Sequence, residues 1–486
     1  MTIVDADLLS IQEARDCAVA ANKAAQAWLH ASQEDVDRVC EAMATAAFNA
    51  AERLGTLAHE ETGYGVAEHK RLKNEFASKA VWDSIADVAT VGVVKQDFEN
   101  RLTYVAWPMG NVAALTPSTN PTSTVMAKVL TSVKARNSIV IAPHPSAAKC
   151  SLEAANVMAL AAENAGAPKG LVQCISKISL PGTQELMRHK YISLILATGG
   201  TPMVKAAHSV GKPALGVGPG NVPVYVDRSA DLEKAARYIV ASKSFDYSTI
   251  CATEQAVIAD RPIANKLMQL MQDQGAYFVD AEPAKKLSAA LFYANGGINP
   301  LSVGKSPQYL AAMAGISIPE AARILVAPLS KVGPEEPLSR EKLTTVLGWY
   351  TVEGWEAGCE RSMEMIRFGG RGHTQIIHAT NEDIILAFGL EKPVFRILVN
   401  TMGTLGAVGL TTGVMPSMTL GAGGFGGSIT GDNITVYHMF NLKRLAYELR
   451  EPPAAAMQPG ANPAGPTPQD IEKAVEEVVY DLLLKK

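Results

Sequence analysis

Among the six cysteines of the 486-residue chain, Cys251 has the surroundings of a nucleophile. It lies in Ser244-Phe245-Asp246-Tyr247-Ser248-Thr249-Ile250-Cys251-Ala252-Thr253-Glu254-Gln255, between a helical pattern and a β-like one. Loops at a sheet edge present side chains to ligands, whereas a cysteine in an apolar stripe packs as a small hydrophobe. Residue type alone favours packing for Cys251, and that reading is kept for Cys17, Cys40, Cys150, Cys174 and Cys359, which fall in helical or strand patterns. A second segment, Thr116-Pro117-Ser118-Thr119-Asn120-Pro121-Thr122-Ser123-Thr124, leaves two readings open for Asn120. Before Pro121 it suits a helix N-cap; its amide N–H could equally stabilise an oxyanion on a carbonyl oxygen. Both hold for one residue only if its side chain turns away from the helix end. Thr198-Gly199-Gly200-Thr201-Pro202 is either an ordinary tight turn or a place where a phosphate meets backbone amides at a helix N-terminus. Gly421-Ala422-Gly423-Gly424-Phe425-Gly426 fits G-x-G-x-x-G but lacks the strand, helix and downstream acid of a dinucleotide fingerprint. It reads instead as a loop lining a substrate or cofactor entrance.

The elements that must position these residues follow from periodicity. Residues 8–90 are Ala-rich and helical, with Trp28, Leu29, Val36, Val39, Met43, Ala47 and Phe48 at near-helical spacing. From Val91 to Pro108 the pattern turns β-like. Then come a strand at Asn111–Leu115, a helix at Pro121–Ala135, a strand at Ser138–Ala142, a helix at Ser146–Ala165, and strands at Leu171–Ile175 and Ile192–Ala197. A second series opens at Val222–Val226, with a helix at Asp231–Ser242 and strands near Gln255–Ile258, Ile324–Ala327, Thr374–His378 and Arg396–Val399. Apolar strands alternating with helices imply parallel sheets covered on both faces, here two α/β domains meeting near residues 220–225. Glu451–Pro466, rich in Pro, Ala and Gly, predicts a semi-stiff linker without regular structure. Beyond it, Thr467, Pro468 and Asp470 predict a helix start with a capping box. Ile471, Ala474, Val475, Val478, Leu482 and Leu483 fall on one face of that helix, which has no core of its own.

Bulk properties narrow the classes. A net charge of −4 gives no field for nucleic acid or an anionic membrane. Apolar residues at 48% and charged residues at 19% are an ordinary globular balance. The N-terminus has no signal-peptide pattern, and no window approaches ~18 uninterrupted apolar residues. Scattered cysteines without a CxxC pair read as reduced cytosolic thiols, and no metal is called for.

Taken together, the motifs resemble the aldehyde dehydrogenase superfamily over nearly the whole length to about residue 450. They are most similar to its CoA-acylating acetaldehyde and propionaldehyde dehydrogenases associated with bacterial microcompartments. The carriers are TPSTNPTST (116–124), ARNSIVIAPHP (135–145), ATGGTPMVKAA (197–207), GVGPGNVP (216–223), FDYSTICATEQ (245–255), LSREKLTTVL (338–347) and TLGAGGFGGSITGDNIT (419–435). The resemblance implies an aldehyde dehydrogenase-like α/β fold. Residues 1–221 would form a Rossmann-like domain binding NAD and CoA, with a β oligomerisation segment at about 91–107. Residues 222–432 would form the catalytic domain and 433–450 an oligomerisation strand and return. The linker 451–466 and an encapsulation-type helix, 467–486, would follow.

For the site, the resemblance implies that Cys251 is the thiolate attacking the aldehyde and that Asn120, with the Cys251 backbone amide, forms the oxyanion hole. Gly199, Gly200 and Thr201 match the pyrophosphate turn, Glu341 the acid at the nicotinamide ribose, and Pro143 and His144 the adenosine side. Thr116 and Gly218 are placed with the cofactor on the same basis. Hydrolysing members open the motif E-L-G-G with a glutamate that activates water; here the register reads Gly216-Val217-Gly218-Pro219. Without that base the acyl-enzyme should await a thiol, so CoA is the expected acceptor. Propionaldehyde is the first expected substrate and acetaldehyde the second, while no arginine pair near the motifs advertises a sulfonate site. The pocket is expected to draw on residues 118–126, the loop before Cys251 and Gly421–Gly427. A homodimer or homotetramer is expected, located in the cytoplasm inside a microcompartment and bound to a shell protein through residues 467–486. Two rivals are a hydrolysing enzyme using another carboxylate and a non-catalytic cargo protein.

Overall fold

The protein is described here by a computed structural model covering residues 5–457 and 465–484. Helices Ala6–Trp28, Gln33–Asn49, Ala51–Thr62 and Ala67–Glu75 open the chain. The second is started by a capping box in which Ser32 and Asp35 satisfy each other's backbone N–H. Trp28, Val36, Val39, Met43 and Ala47 of the expected stripe are buried, whereas Phe48 is 40% exposed and faces a cavity described below.

Fifteen strands follow among the described residues: β1 (Gly92–Asp97), β2 (Leu102–Pro108), β3 (Asn111–Thr116), β4 (Ser138–Pro143), β5 (Val172–Cys174), β6 (Ile192–Thr198), β7 (Ala214–Val217), β8 (Val222–Val226), β9 (Glu254–Asp260), β10 (Ala276–Phe278), β11 (Ile324–Pro328), β12 (Val346–Val352), β13 (Gly372–His378), β14 (Val394–Val399) and β15 (Phe440–Ala446). Five form a parallel sheet in the order β5-β4-β3-β6-β7, and seven form a second in the order β10-β11-β12-β9-β8-β13-β14. Every residue of β3, β4, β9 and β13 is buried, as covering on both faces requires. The chain passes between the sheets at Val217–Val222.

In the first sheet the strand order reverses beside β3, with β4 on one side and β6 on the other. Ligands bind where such an order reverses, outside the carboxyl ends of the strands. Helix Pro121–Lys134, buried at all fourteen positions, leaves β3 at this point. Its Lys128 donates to the carbonyls of Leu115 (2.7 Å) and Leu196 (2.9 Å), tying the ends of β3 and β6 together.

By contacts the chain divides into two compact units. One runs to Val94 and includes Ala106–Leu442; the other consists of Lys95–Val105 and the chain from Lys443. A small sheet has the order β1-β2-β15. Within the expected segment 433–450, the strand is Phe440–Ala446. Residues before it form a bridge between Asn433 and Leu420 and a 3₁₀ turn at Val436–His438, closed by the Thr435 N–H on His438 Nδ1 at 3.1 Å. Part of the linker also departs from expectation, since Ala454–Met457 forms a helical turn. Alanine has the strongest helix propensity, and the run starts just past Pro453. Residues 458–464 of the linker and the final two residues lie outside the described chain. The terminal helix, Pro468–Leu484, begins with the expected box: Thr467 N–H and Oγ1 donate to Asp470 Oδ2 at 2.9 and 2.6 Å, and Asp470 N–H returns to Thr467 Oγ1 at 3.2 Å.

Candidate active site

Helix Leu232–Ser244 stops at a short 3₁₀ turn, Phe245–Ser248, in which Asp246, Tyr247 and Ser248 have φ of +46°, +48° and +67°. Three successive non-glycine residues in the left-handed region are strained, and such strain persists only where the surroundings over-determine it. Here buried Asp246 supplies the constraint. Its carboxylate pairs with Lys70 and Lys73, accepts from Thr249 Oγ1 at 2.5 Å and takes the Val66 N–H at 2.7 Å. The turn delivers Cys251, half-buried, to the floor of a cavity of about 260 Å³.

The same cavity is lined by Asn120, His144, Gly199, Gly200, Gly218 and Glu341. Residues separated by more than two hundred positions are therefore brought together by the carboxyl ends of the first sheet and the loops of the second. Thr116 is buried at the end of β3, Pro143 ends β4 buried, and Thr201 opens the helix Thr201–His208. These three stand next to lining residues and are not themselves in the wall.

Asn120 resolves in favour of the side chain turned away from the helix. It makes no capping bond; its Nδ2 donates to the Thr249 carbonyl at 3.1 Å, and its Oδ1 accepts from Lys73 Nζ at 2.6 Å. Gly200 caps Thr201–His208 without any side-chain bond; Met203 and Val204 N–H return to its carbonyl at 3.0 and 3.2 Å, and Pro202 has no N–H. The buried hydroxyls of Thr116 and Thr124, the latter in the wall, have no hydrogen-bond partner among the described residues, as groups reserved for a ligand would. The His144 N–H donates to the Thr116 carbonyl at 3.1 Å, joining the ends of β4 and β3, and burial lowers the imidazole's pKa. A nicotinamide dinucleotide fits this set: a helix N-terminus for phosphate, spare hydroxyls, and a carboxylate at Glu341.

Glu341 accepts the Gly220 N–H at 2.9 Å, and burial pushes its carboxyl up to about 7. The adjacent Lys342 points the other way, donating to the carbonyls of Gln255, Leu338 and Arg340 at 3.0, 2.7 and 2.9 Å. Burial, and secondarily Glu341, pushes the Cys251 thiol up to about 12, while Arg396 acts to lower it. Arg396 is buried and donates to the carbonyls of Gly421 (2.8 Å) and Gly431 (2.9 Å).

Gly216, the register of the missing glutamate, is not in the cavity wall. A β-carbon there would lie 2.6 Å from His208 Nε2 and 2.7 Å from Val204 Cγ1, so a side chain at this position would have to displace both. The expectation for Gly421–Gly427 is corrected: neither this cavity nor the one described next includes those residues. The loop wraps Phe395 and Arg396, with a β-carbon at Gly423 falling 2.0 Å from the Phe395 ring. Met418, just before it, takes its place in both walls.

A second cavity, about 350 Å³ and mainly apolar, is lined by Phe48, Leu72, Phe76, Phe245, Ile250, Leu405, Val408, Leu410 and Met418, with Lys73, Glu75, Lys79 and Asp83 among its polar residues. Ile250 and Met418 put it next to the nucleophile.

Sequence reading missed His373, Lys73, Asp246 and Arg396. His373 is buried, its Nδ1 pairs with Thr374 Oγ1 at 2.9 Å, and its Nε2 has no partner. Burial, then Arg396, pulls it down to about 3, so the ring is neutral. A β-carbon on Gly220 would lie 2.5 Å from the Cys251 carbonyl oxygen and 2.9 Å from His373 Nδ1, which places the ring behind the nucleophile.

Fold and site together define a protein that holds a dinucleotide-like ligand against a cysteine beside an amide donor. The aldehyde dehydrogenase family profile matches residues 2–282, and the chain belongs to that family. It is 41% identical to aldehyde-alcohol dehydrogenase 2 of Entamoeba histolytica over 424 residues, 85% of this chain and 49% of that protein. The chain thus spans about half the length of such two-part relatives. Among solved structures it is similar to an acetylating aldehyde dehydrogenase from Geobacillus thermoglucosidasius, 50% identical with a TM-score of 0.92, covering 93% of this chain and 100% of that one. It also resembles a propionaldehyde dehydrogenase from the fucose utilisation bacterial microcompartment of Clostridium phytofermentans, 28% identical with a TM-score of 0.81, covering 88% and 96%.

Proposed function

We propose that the protein oxidises a short-chain aldehyde with NAD and passes the acyl group from Cys251 to CoA, giving an acyl-CoA. The observation that carries this reading is the wall around Cys251. Its single carboxylate, Glu341, accepts the Gly220 N–H, and the register of the water-activating glutamate is glycine, Gly216, where a side chain would have to displace His208 and Val204. The likeness to the acetylating Geobacillus enzyme supports the same conclusion.

In this reading the Cys251 thiolate adds to the aldehyde carbon, and the alkoxide that forms is met by an N–H of Asn120 and the Cys251 backbone amide. Arg396 favours the thiolate through its field. Gly199, Gly200, Thr201, Glu341 and the β4 end at Pro143 and His144, with Thr116 and Gly218 nearby, would hold NAD, which when bound would supply the hydride acceptor. The thioester left on Cys251 awaits the CoA thiol because the register of the water-activating glutamate is Gly216, and a thiol is a far better nucleophile toward a thioester than water. The apolar cavity beside Ile250 suits the alkyl part of propionaldehyde, and acetaldehyde after it.

The test is product partition: propionaldehyde and NAD are supplied with increasing CoA, and acyl-CoA and free acid are quantified. Acyl-CoA should dominate throughout. Acid formed at a comparable rate without CoA would overturn the reading in favour of a hydrolysing enzyme.

We also propose that residues 467–486 bind a microcompartment shell protein and that the small β element near 91–107 supports a homodimer or homotetramer. The capped terminal helix exposes Ile471 (52%), Val475 (55%) and Val478 (59%), an unpartnered apolar face, and the Clostridium relative comes from a microcompartment. A fluorescent protein carrying residues 451–486 should gather into shells when co-expressed with them; diffuse fluorescence would refute the tail assignment. Light scattering of the purified protein checks the oligomer. Among the described residues no helix is long and apolar enough to cross a membrane.

A further inference from the structure

Asparagine cannot choose by shape which end of its amide faces a ligand, because the oxygen and the NH₂ are nearly isosteric. In this protein two one-way partners make the choice. Lys73 carries only donors, and its Nζ sits 2.6 Å from Asn120 Oδ1; the Thr249 carbonyl can only accept, and it lies 3.1 Å from Nδ2. A reversed amide would set NH₂ against ammonium and oxygen against oxygen. Thr249 takes one amide hydrogen, and the second is left for an oxygen in the cavity, with only the Thr119 hydroxyl at 3.2 Å competing.

Lys73 is itself fixed. It is 4% exposed, paired with Asp246, and within 3.3 Å of Thr249 Oγ1. Lys70, 2% exposed, completes the group, bonding Asp246 at 3.2 Å and the Thr119 carbonyl at 3.2 Å. The chain around Gly65 closes over the carboxylate. Its φ is +68°, and a β-carbon there would lie 1.9 Å from Asp246 Oδ1, so only glycine fits. The Asp246 N–H donates to His69 Nδ1 at 2.8 Å. One turn of N-terminal helix thereby holds both the strained nucleophile loop and the residue before helix Pro121–Lys134.

We propose that Lys73, anchored by Asp246, is a positioning residue that sets the Asn120 amide with its N–H toward the reacting oxygen. This rests on the reading of Asn120 as the oxyanion donor. Burial outweighs the raising pull of Asp246 and brings the Lys73 ammonium down to about 7, so it is the geometry of the Lys73–Asn120–Thr249 contacts that carries the proposal. Lys73 lines the apolar cavity but not the wall around Cys251, so its effect on the reacting oxygen runs through Asn120.

The experiment is a double-mutant cycle between Lys73→Met and Asn120→Ala in the full chain, reading single-turnover NADH formation from propionaldehyde and the aldehyde KM. Lys73→Met alone should slow hydride transfer on the order of 10–100-fold, less than the ~10²–10³ of deleting an oxyanion donor, with KM within about 2-fold. In the Asn120→Ala background the same substitution should change the rate by less than about 2-fold. If removing the lysine leaves Asp246 unpaired and the protein unfolded, Lys73→Met with Asp246→Asn removes both charges and should give the same cycle. Equal losses in both backgrounds, in an active wild type, would overturn the positioning role and leave the proposed function standing. A wild type that makes no NADH from aldehyde, NAD and CoA would overturn both.

Discussion

The two cavities beside the nucleophile differ in what they can recognise. One, with Cys251 in its wall, is built of glycines, threonines and the carboxylate of Glu341 at the ends of parallel strands. The other, reached through Ile250, is walled by phenylalanines, leucines and Val408, with its lysine nearest the loop paired to Asp246. Met418 belongs to both. A site of the first kind offers backbone amides and hydroxyls to a polar, phosphate-bearing ligand. The second offers mainly apolar area, its charged residues paired as Lys73–Asp246, Glu75–Arg71 and Lys79–Asp83, which suits a neutral alkyl group. The lesson is that one cysteine can serve two unlike ligands when it sits at the partition between them. In the proposed reading the polar side would take NAD and CoA, and the apolar side would select the aldehyde.

Each substitution below strains that contrast, beginning with the largest effect. Asn120→Ala should lower kcat by ~10²–10³ with little change in aldehyde KM, since it removes a donor that strengthens only as the oxyanion forms. A KM effect alone would move Asn120 from chemistry to binding. Next, a thiol held up to about 12 is mostly protonated at neutral pH, and its reactive fraction grows with each unit of pH below that value. Alkylation of Cys251 by iodoacetamide in the free protein should therefore rise about 100-fold from pH 7 to pH 9. A plateau near pH 8 would show that Arg396 lowers the thiol further than burial raises it.

On the apolar side, Leu405→Ala should shift kcat/KM toward a longer aldehyde by about 10-fold relative to propionaldehyde, the usual worth of a methylene or two in such a pocket. An unchanged ranking would take the alkyl group out of this cavity. Smallest in its effect on chemistry is Gly216→Glu. Where a glutamate would displace Val204 and His208, it should cost about 1–3 kcal/mol of stability by overpacking and leave the acid fraction of the product unchanged. A rise in acid would mean that the side chain can reach the thioester after all.

The sequence made parts of this legible for identifiable reasons. β3, β4, β6 and β8 are short apolar runs bounded by Gly, Pro or Asn, and each was expected within one or two residues of its place. β12 was not, although it stands between β11 and β9 in the larger sheet. Gly348 and two aromatics interrupt its apolar run; the glycine is needed because a β-carbon there would lie 2.5 Å from Leu329 Cδ1. β7 escaped notice because four residues ending in Gly-Val carry almost no period. The candidate site divides likewise. Cys251, Asn120 and the Gly199–Gly200 turn stand in loops whose residue types alone leave a structural reading open, and it is several motifs agreeing in order that signal their roles. Lys73, Asp246 and Arg396 are charges inside the core, and their meaning lies in partners far away in sequence: Lys73 meets Asn120 across 47 positions and Asp246 across 173. Hydrophobic period cannot report such pairings. A buried charge is informative only once its neighbours are known.

The central claim is that Cys251 holds an acyl group which CoA, and not water, removes. NADH formation from propionaldehyde, with CoA present and absent, on the wild type and Cys251→Ala, tests it most directly. Sustained turnover only with CoA, falling about 10⁴-fold or more in the substituted protein, is the expected result. Turnover indifferent to CoA would contradict the account and assign the missing base to Glu341 or another carboxylate.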